Sequence, residues 1–500
     1  MRNVTSQHVV PFMCIFLALE YSVIAQDAAR FPSFALEHSP PPDYQGMVFD
    51  LSQDYPTEAP PVAEMPWDTL NFRTQPLEYA RAVLKYGVEG NTEVDWVVQK
   101  NAVRKWYHAP WMHPGCGGRE FVRGMTRERS SRPGELHPNQ TKFCDNWAVG
   151  FYNPPGGYTV GQVWSNANEP NPSSATFPYG TVGMKLLFTT ATVEEAPFLE
   201  GSLEWTANIY PRTDKNPCGP DGPKRENLTL RLLQIDIAVR DKRKDHTTGW
   251  VFGTFIYDGS ATGETPFDRM QPVGLMWDDD ETVTTDMKRP GVFVNPDLKG
   301  GSLNADLIGD WDPANPKKVR LVHAGLGGRL NGPVDNPISS CMSCHGRAGA
   351  PSQPEVPQGI SKPEQYTEAA FKQFFADIPP GAAKDTGADG KEYTRLDYSL
   401  QLDVGIRNFT RAQPHVEAPE VAAITGGPQP NRGNDESGRW EVPQPTANSD
   451  APKKADDVAP TVVPAADAEK PKDNSFRLYM LIGVVVLIAV LFFAMRGKQA

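Results

Sequence analysis

The sequence predicts a mainly β domain, an antiparallel sheet or sandwich with a few helices, held between two apolar ends. Three observations predict it. Period-two alternation recurs in mid-chain: Val182, Met184 and Leu186 alternate with Gly183, Lys185 and Leu187. Leu233, Ile235, Ile237 and Val239 likewise alternate with Gln234, Asp236, Ala238 and Arg240. Gly/Pro/Asn clusters separate these runs, as turns separate the strands of an antiparallel sheet. Finally, the 500 residues include 48 prolines, about twice the usual share of ~5%, which speaks against a helical bundle.

Taken in order, the chain opens with Met1-Arg2, a polar stretch and the mostly apolar segment Val9 to Ala25. Small residues precede Gln26, so residues 1–25 read as a secretory signal. Glu20 interrupts the apolar part, and an uncleaved anchor is the alternative. Residues 26–66 read as an extended segment draped over the folded body, which spans 67–424. Within the body, Leu77 to Leu84 reads as a helix stopped by Gly87. Ser202 to Tyr210 and Trp250 to Tyr257 are rich in aromatic and β-branched residues and read as strands. One later helix is announced by the capping box Ser361-Lys362-Pro363-Glu364, with Tyr366, Phe371, Phe374 and Phe375 as its apolar face.

Residues 425–474 are rich in Pro, Ala, Asp and Lys, and bury too little apolar surface to offset their ordering entropy. They read as a disordered tether. Residues 475–497 contain the uninterrupted apolar run Leu478 to Met495, long enough for a ~30 Å hydrocarbon core. Lys470, Lys472 and Arg477 on one side and Arg496 and Lys498 on the other do not set its orientation. Export of the N-terminus does: a single-pass anchor in the cell membrane, with the bulk of the chain on the periplasmic or exterior side. Net charge is −12. That excludes a nucleic-acid footprint and permits docking to a basic redox partner.

One motif carries chemistry. Cys341-Met342-Ser343-Cys344-His345 is C-x-x-C-H, the signature of covalent c-type haem attachment. Two thiols at this spacing add to the two vinyl groups of one porphyrin edge, and the adjacent histidine becomes an axial iron ligand. Chance occurrence in a chain of this composition is on the order of one in a thousand. A zinc ribbon needs a second pair, which Cys116, Cys144 and Cys218 do not offer. A redox dithiol would not need the histidine. The expected cofactor is one haem c per chain, held by Cys341 and Cys344 with His345 on the iron. Of the remaining cysteines, a Cys116–Cys144 disulfide is one pairing, which would leave Cys218 free.

The motif comes late in the chain. No methionine lies between His345 and Met480, which sits inside the apolar run, and the only downstream histidine is His415. A sixth ligand must therefore come from upstream, or the iron is five-coordinate with a face open to small molecules such as NO, CO or hydroxylamine.

Phe177-Pro178-Tyr179-Gly180-Thr181-Val182-Gly183-Met184-Lys185-Leu186 resembles the F-P-x-G-t-v-x-x-K strand of the cytochrome P-460 and cytochrome c′-beta family. Ile237-Ala238-Val239-Arg240-Asp241-Lys242-Arg243, followed by Thr248-Gly249-Trp250-Val251-Phe252-Gly253-Thr254-Phe255, resembles the family's V-K-D-x-x-r and G-W-g-f strands, with C-x-x-C-H after them. The resemblance covers roughly residues 160–350. It implies an antiparallel β fold, a late covalent haem and a five-coordinate iron. Some members oxidise hydroxylamine with a lysine bonded to the porphyrin, and others handle NO. Lys185 matches that lysine, and an ordinary solvent-facing strand lysine is its other reading. The long segment between Trp250 and Cys341, the N-terminal extension and the anchor depart from the family and leave the substrate open.

Three function classes follow. The first is a haem protein handling a small nitrogen ligand or passing electrons from it. The second is a plain six-coordinate electron carrier, with Met112 or His113 closing the iron. The third is a non-redox scaffold with a structural haem. Trp106-Tyr107-His108-Ala109-Pro110-Trp111-Met112-His113 could supply that ligand, or be a packed aromatic loop. His323 reads as a core or strand-edge histidine, and Asp278-Asp279-Asp280-Glu281 as a solvated acidic turn rather than a cation site. Gly325, Gly327 and Gly328 lack the Lys-Ser/Thr of a phosphate loop.

Overall fold

The computed structural model describes residues 54–61, 63–112, 120, 123–210, 224–244, 247–282, 291–354, 367–387 and 390–413. All lie in the compact unit Met1–Val442; a second unit, Pro443–Ala500, falls outside them. The expected signal, tether and anchor lie outside the described residues, as do His113, Cys116, Cys218, His415 and the Ser361–Glu364 capping box. Among the described residues, no helix is long and apolar enough to cross a membrane.

The architecture is mainly antiparallel β with few helices. Helix α1 spans Pro76–Val88. Pro76 brings the φ of a first turn and has no N–H to leave unpaired there. Its buried face is Tyr79, Ala80, Val83, Leu84 and Gly87. Gly87, expected to stop the helix, lies inside it. A Cβ at Gly87 would come within 2.2 Å of Met184 Cε, so the glycine marks close packing rather than a terminus.

Strands β1 (Thr126–Arg127) and β2 (Asn146–Tyr152) lead into helix α2 (Pro154–Val163). Its opening Pro154-Pro155-Gly156-Gly157 has the composition of a loop rather than a helix. It forms because Asn153 caps it, accepting from Gly156 N–H, and because the same side chain accepts from Val182 N–H at 2.8 Å. The glycines let it lie against aromatic rings: a Cβ on Gly157 would sit 2.3 Å from Tyr107 Cδ2.

Strands β3 (Val182–Thr189) and β5 (Glu226–Arg240) contain the two predicted alternating runs, and β4 (Glu204–Ile209) and β6 (Trp250–Tyr257) form where aromatic and β-branched residues predict strands. With β7 (Met270–Met276) and β8 (Gly301–Leu303) they complete an eight-stranded sheet of order β1-β2-β3-β5-β6-β7-β8, β4 pairing with β5. Register is what positions the site. Gly150, Lys185, Asp236 and Thr254 line up across β2, β3, β5 and β6, and Tyr152, Gly183, Ala238 and Phe252 form the next row on the same face. The opposite face carries Val149, Phe151, Met184, Leu186, Ile235, Ile237 and Val239, all buried in the main core.

The polar-and-glycine face is covered by later segments. Helix α3 is the single turn Cys341–His345, and β9 (Gly349–Ala350) follows it. Helix α4 spans Glu368–Phe374, capped by Thr367. Strands β10 (Lys384–Thr386) and β11 (Glu392–Arg395) join β9 in a small sheet of order β10-β11-β9. Helix α5 (Leu400–Ala412), absent from the sequence expectation, begins at the Ser399 cap and packs Phe409 edge-on against Trp111 and Trp164.

Candidate haem site

A cavity of about 1340 Å³, including the solvent at its mouth, opens between the polar face of the large sheet and segments 331–345 and 397–401. Its floor is made of small residues: Ala148, Gly150, Gly183 and Ala238 all line it. Cys341, Cys344, His345 and Lys185 line the same cavity, so the four residues singled out from sequence come together there. Gly183 and Ala238 keep that part of the sheet face low beneath the motif, while Gln401 lies over Gly150.

The local sequence builds the motif helix. Ser340 caps α3, accepting from Ser343 N–H at 2.9 Å, while Ser343 Oγ accepts from Ser340 N–H at 2.8 Å. Ser340 Oγ in turn donates to Asp279 Oδ2 at 3.1 Å, tying the turn to the end of the large sheet.

His345 is oriented from two sides. Its ring lies 4.6 Å from that of Phe252, and its Nδ1 lies 2.8 Å from the carbonyl oxygen of Tyr398. A carbonyl can only accept, so the bond requires the proton on Nδ1 and, in the neutral ring, makes Nε2 the basic nitrogen. That is the arrangement of a metal-ligating histidine held by a backbone carbonyl.

The thiols do not resemble a reactive dithiol. Burial, followed by the charges of Asp236 and Asp335, pushes the Cys341 thiol well above the ordinary cysteine range. A nucleophilic redox cysteine needs the opposite shift.

Lys185 does not face bulk solvent. It projects toward the cavity with its side chain 27% accessible, and Nζ lies 2.8 Å from Asp236 Oδ2. Burial alone would lower its pKa, but Asp236, Asp335 and Glu128 outweigh that and hold it above the usual lysine range. Gln234 Nε2 donates to both Asp236 oxygens, at 2.8 and 2.9 Å, and to Asp335 Oδ2 at 3.2 Å. Thr254 Oγ1 donates to Asp236 Oδ1 at 2.5 Å. Burial raises the Asp236 pKa, whereas Lys185 and the Gln234 amide overcome burial at Asp335 and lower it.

Sequence reasoning missed Asp335, Asp397 and Tyr398. Asp236 and Gln234 carried a usable signal, since they share the alternating polar face of Lys185. Of the other candidates, Met112 lines the cavity. His108 does not line it; its Nδ1 lies 3.1 Å from Gly150 O and its ring packs edge-on to Phe151. His323 is buried 3.6 Å from Glu135, as a core histidine. The acidic run is used structurally: Asp278 pairs with Lys244, and Asp280 accepts from Thr282 and Lys299 N–H groups. Cys144 is buried, and burial pushes its thiol pKa up to about 12; Cys116, its expected disulfide partner, lies outside the described residues.

Among the described residues, no group of three or more His, Cys, Asp or Glu side chains is poised to hold a bare metal ion. Comparison of the chain with family models, with curated proteins and with solved structures finds no match.

Proposed function

We propose that this protein is an exported, membrane-anchored monohaem c-type cytochrome whose iron keeps one face open to a small nitrogen ligand such as NO or hydroxylamine. One observation carries the reading: both thiols of the C-x-x-C-H motif, its histidine and Lys185 line one large cavity over a floor of glycine and alanine. Cys341 and Cys344 would hold the porphyrin edge, and His345 would offer Nε2. A bound haem supplies one-electron redox change and an open coordination position.

The chain's own residues shape what reaches that position. Lys185 is an ammonium donor at the cavity wall, held in place by Asp236. The lining carries Lys185 and Arg129 against Glu128, Asp236, Asp335 and Asp397. This acidic excess favours neutral or cationic ligands over anions. The membrane anchor, the periplasmic or exterior location and a redox partner protein are parts of the proposal that rest on the two ends of the sequence and its charge.

A six-coordinate electron carrier is the second reading, favoured by Met112, which lines the same cavity. Optical spectra of the chain produced with haem-attachment machinery, with and without CO and NO, separate the two. A reduced spectrum that shifts with CO supports the open iron. Indifference to CO supports electron transfer alone, and absence of covalent haem overturns both.

A further inference from the structure

We propose that Asp397 is a positioning residue for His345, acting through the backbone carbonyl of Tyr398; the proposal rests on the haem reading above. Asp397 and Tyr398 are consecutive non-glycine residues in the left-handed region, with φ of 46° and 65°. L residues enter that region at a cost, so the pair persists only where its surroundings over-determine it, and such places cluster at functional sites.

The surroundings here do so. Asp397 is 2% exposed. Its Oδ2 accepts from Phe177 N–H at 2.8 Å and its Oδ1 from Trp250 Nε1–H at 2.9 Å. One carboxylate thus ties the segment to the chain before β3 and to the start of β6. Tyr398 is fixed at its far end, its hydroxyl donating to Ile378 O at 2.7 Å and accepting from Ile378 N–H at 3.1 Å. Ser399 Oγ is hydrogen-bonded to Tyr152 Oη at 2.8 Å. Three anchors therefore hold one tight turn, and its product is the Tyr398 carbonyl 2.8 Å from His345 Nδ1.

That carbonyl sets more than orientation. An Nδ1–H bonded to a good acceptor makes Nε2 a stronger donor, and a stronger donor favours oxidised over reduced iron. Asp397 therefore helps to keep the reduction potential low through the histidine. Phe177 and Trp250 serve the same end as donors that grip it, beside the Gly381 N–H.

The test is the haem-loaded full chain with Asp397→Asn and, separately, Trp250→Phe. The asparagine turns an N–H₂ toward at least one of the N–H donors of Phe177, Trp250 and Gly381. The phenylalanine deletes one donor and keeps a ring facing Phe177, which Trp250 meets at 5.6 Å. With covalent haem retained, Asp397→Asn is expected to shift the reduction equilibrium toward ferrous iron about tenfold, equivalent to about 59 mV for one electron. Trp250→Phe shifts it in the same direction by less. The iron–histidine stretch of the ferrous protein falls in frequency in both. Covalent haem at wild-type stoichiometry with potential and stretch unmoved in both variants overturns the positioning role and leaves the haem reading intact. If Asp397→Asn does not fold, Trp250→Phe decides alone. An unmodified chain that takes up no covalent haem overturns the haem reading, and this proposal with it.

Discussion

Lys185 and Asp236 face each other across the β3–β5 pair, and the lysine ammonium sits 2.8 Å from the carboxylate. The ion pair holds one cation between two acids that share a single amide donor. Lys185→Met leaves Asp236 with Gln234 and Thr254 but without its paired cation, while Asp335 keeps only the charge of Arg129 and, when protonated, His345. The expected loss is about 1–3 kcal/mol, less than for a fully buried pair because the cavity is partly wet. Without the lysine, the carboxylates' folded pKa values rise above their unfolded ones, so stability is retained at low pH and lost as pH rises. Urea unfolding at pH 5 and pH 8 should show the greater loss at pH 8; equal losses would remove Lys185 from this role.

The same pair bears on the porphyrin cross-link that the family resemblance raises. An amine held as an ammonium is a poor nucleophile. Haem-loaded protein is therefore expected to yield a peptide containing unmodified Lys185 on mass spectrometry, with no strongly red-shifted reduced Soret band. A haem-bonded Lys185 peptide would contradict the ion pair as the resting state.

The floor of the cavity can be filled without disturbing the core on the other face of the sheet. A Cβ on Gly183 would stand 3.2 Å from Tyr152 Cε1 and point into the cavity. Gly183→Leu is expected to lower covalent haem yield at least about tenfold while the apo chain keeps its near-ultraviolet dichroism. Undiminished haem staining in that variant would place the porphyrin elsewhere.

Acid stability should depend on Glu135. Burial alone would raise its pKa, but the Arg129 guanidinium and His323 overcome it and lower the value from 4.5 to about 2. A depressed folded pKa contributes stability above the unfolded value and loses it as pH falls toward 2. The contribution at neutral pH is about 3 kcal/mol. Glu135→Gln should flatten the acid limb of a stability–pH curve between pH 4.5 and 2, measured by chemical unfolding.

Asp279 runs the other way. Burial raises its pKa from 3.8 to about 7, against the pull of Arg329. Its raised folded pKa contributes stability at low pH that is lost as pH climbs from about 4 through 7. Asp279→Asn should therefore gain on the wild type between pH 5 and pH 8 in thermal melts. A constant difference across that range would show that the group does not titrate there.

β3 and β5 were legible because parts of each alternate, and β4 and β6 because they are rich in aromatic and β-branched residues; β6, buried along its whole length, shows no alternation. The helices were harder. Pro154-Pro155-Gly156-Gly157 has the composition of a loop and becomes α2 only because Asn153 caps it and aromatic rings need the glycines' space. Helix α5 hides its pattern by burying polar groups: Asp403 accepts from Gly349 N–H at 3.1 Å, and Asn408 donates to Trp111 O at 2.8 Å. The motif's residues were legible as a group, and the structure brings both thiols and the histidine to one cavity. The group that orients its histidine was not, since a backbone carbonyl has no residue type. Nor does any glycine mark the left-handed turn at Asp397 and Tyr398.

The bond between His345 and Tyr398 spans 53 positions of chain. The carbonyl that accepts from the histidine is therefore made after it, whereas Phe252, against its ring, is made before. A chain emerging N-terminus first exposes a finished sheet floor and then the two thiols, before the residues that will shut over them exist. Attachment of the proposed haem would have a natural time window, open while the last strands and α5 are still being delivered and closed once Asp397 finds Trp250. In this molecule, the order of synthesis is also the order in which a guest could be admitted and then held.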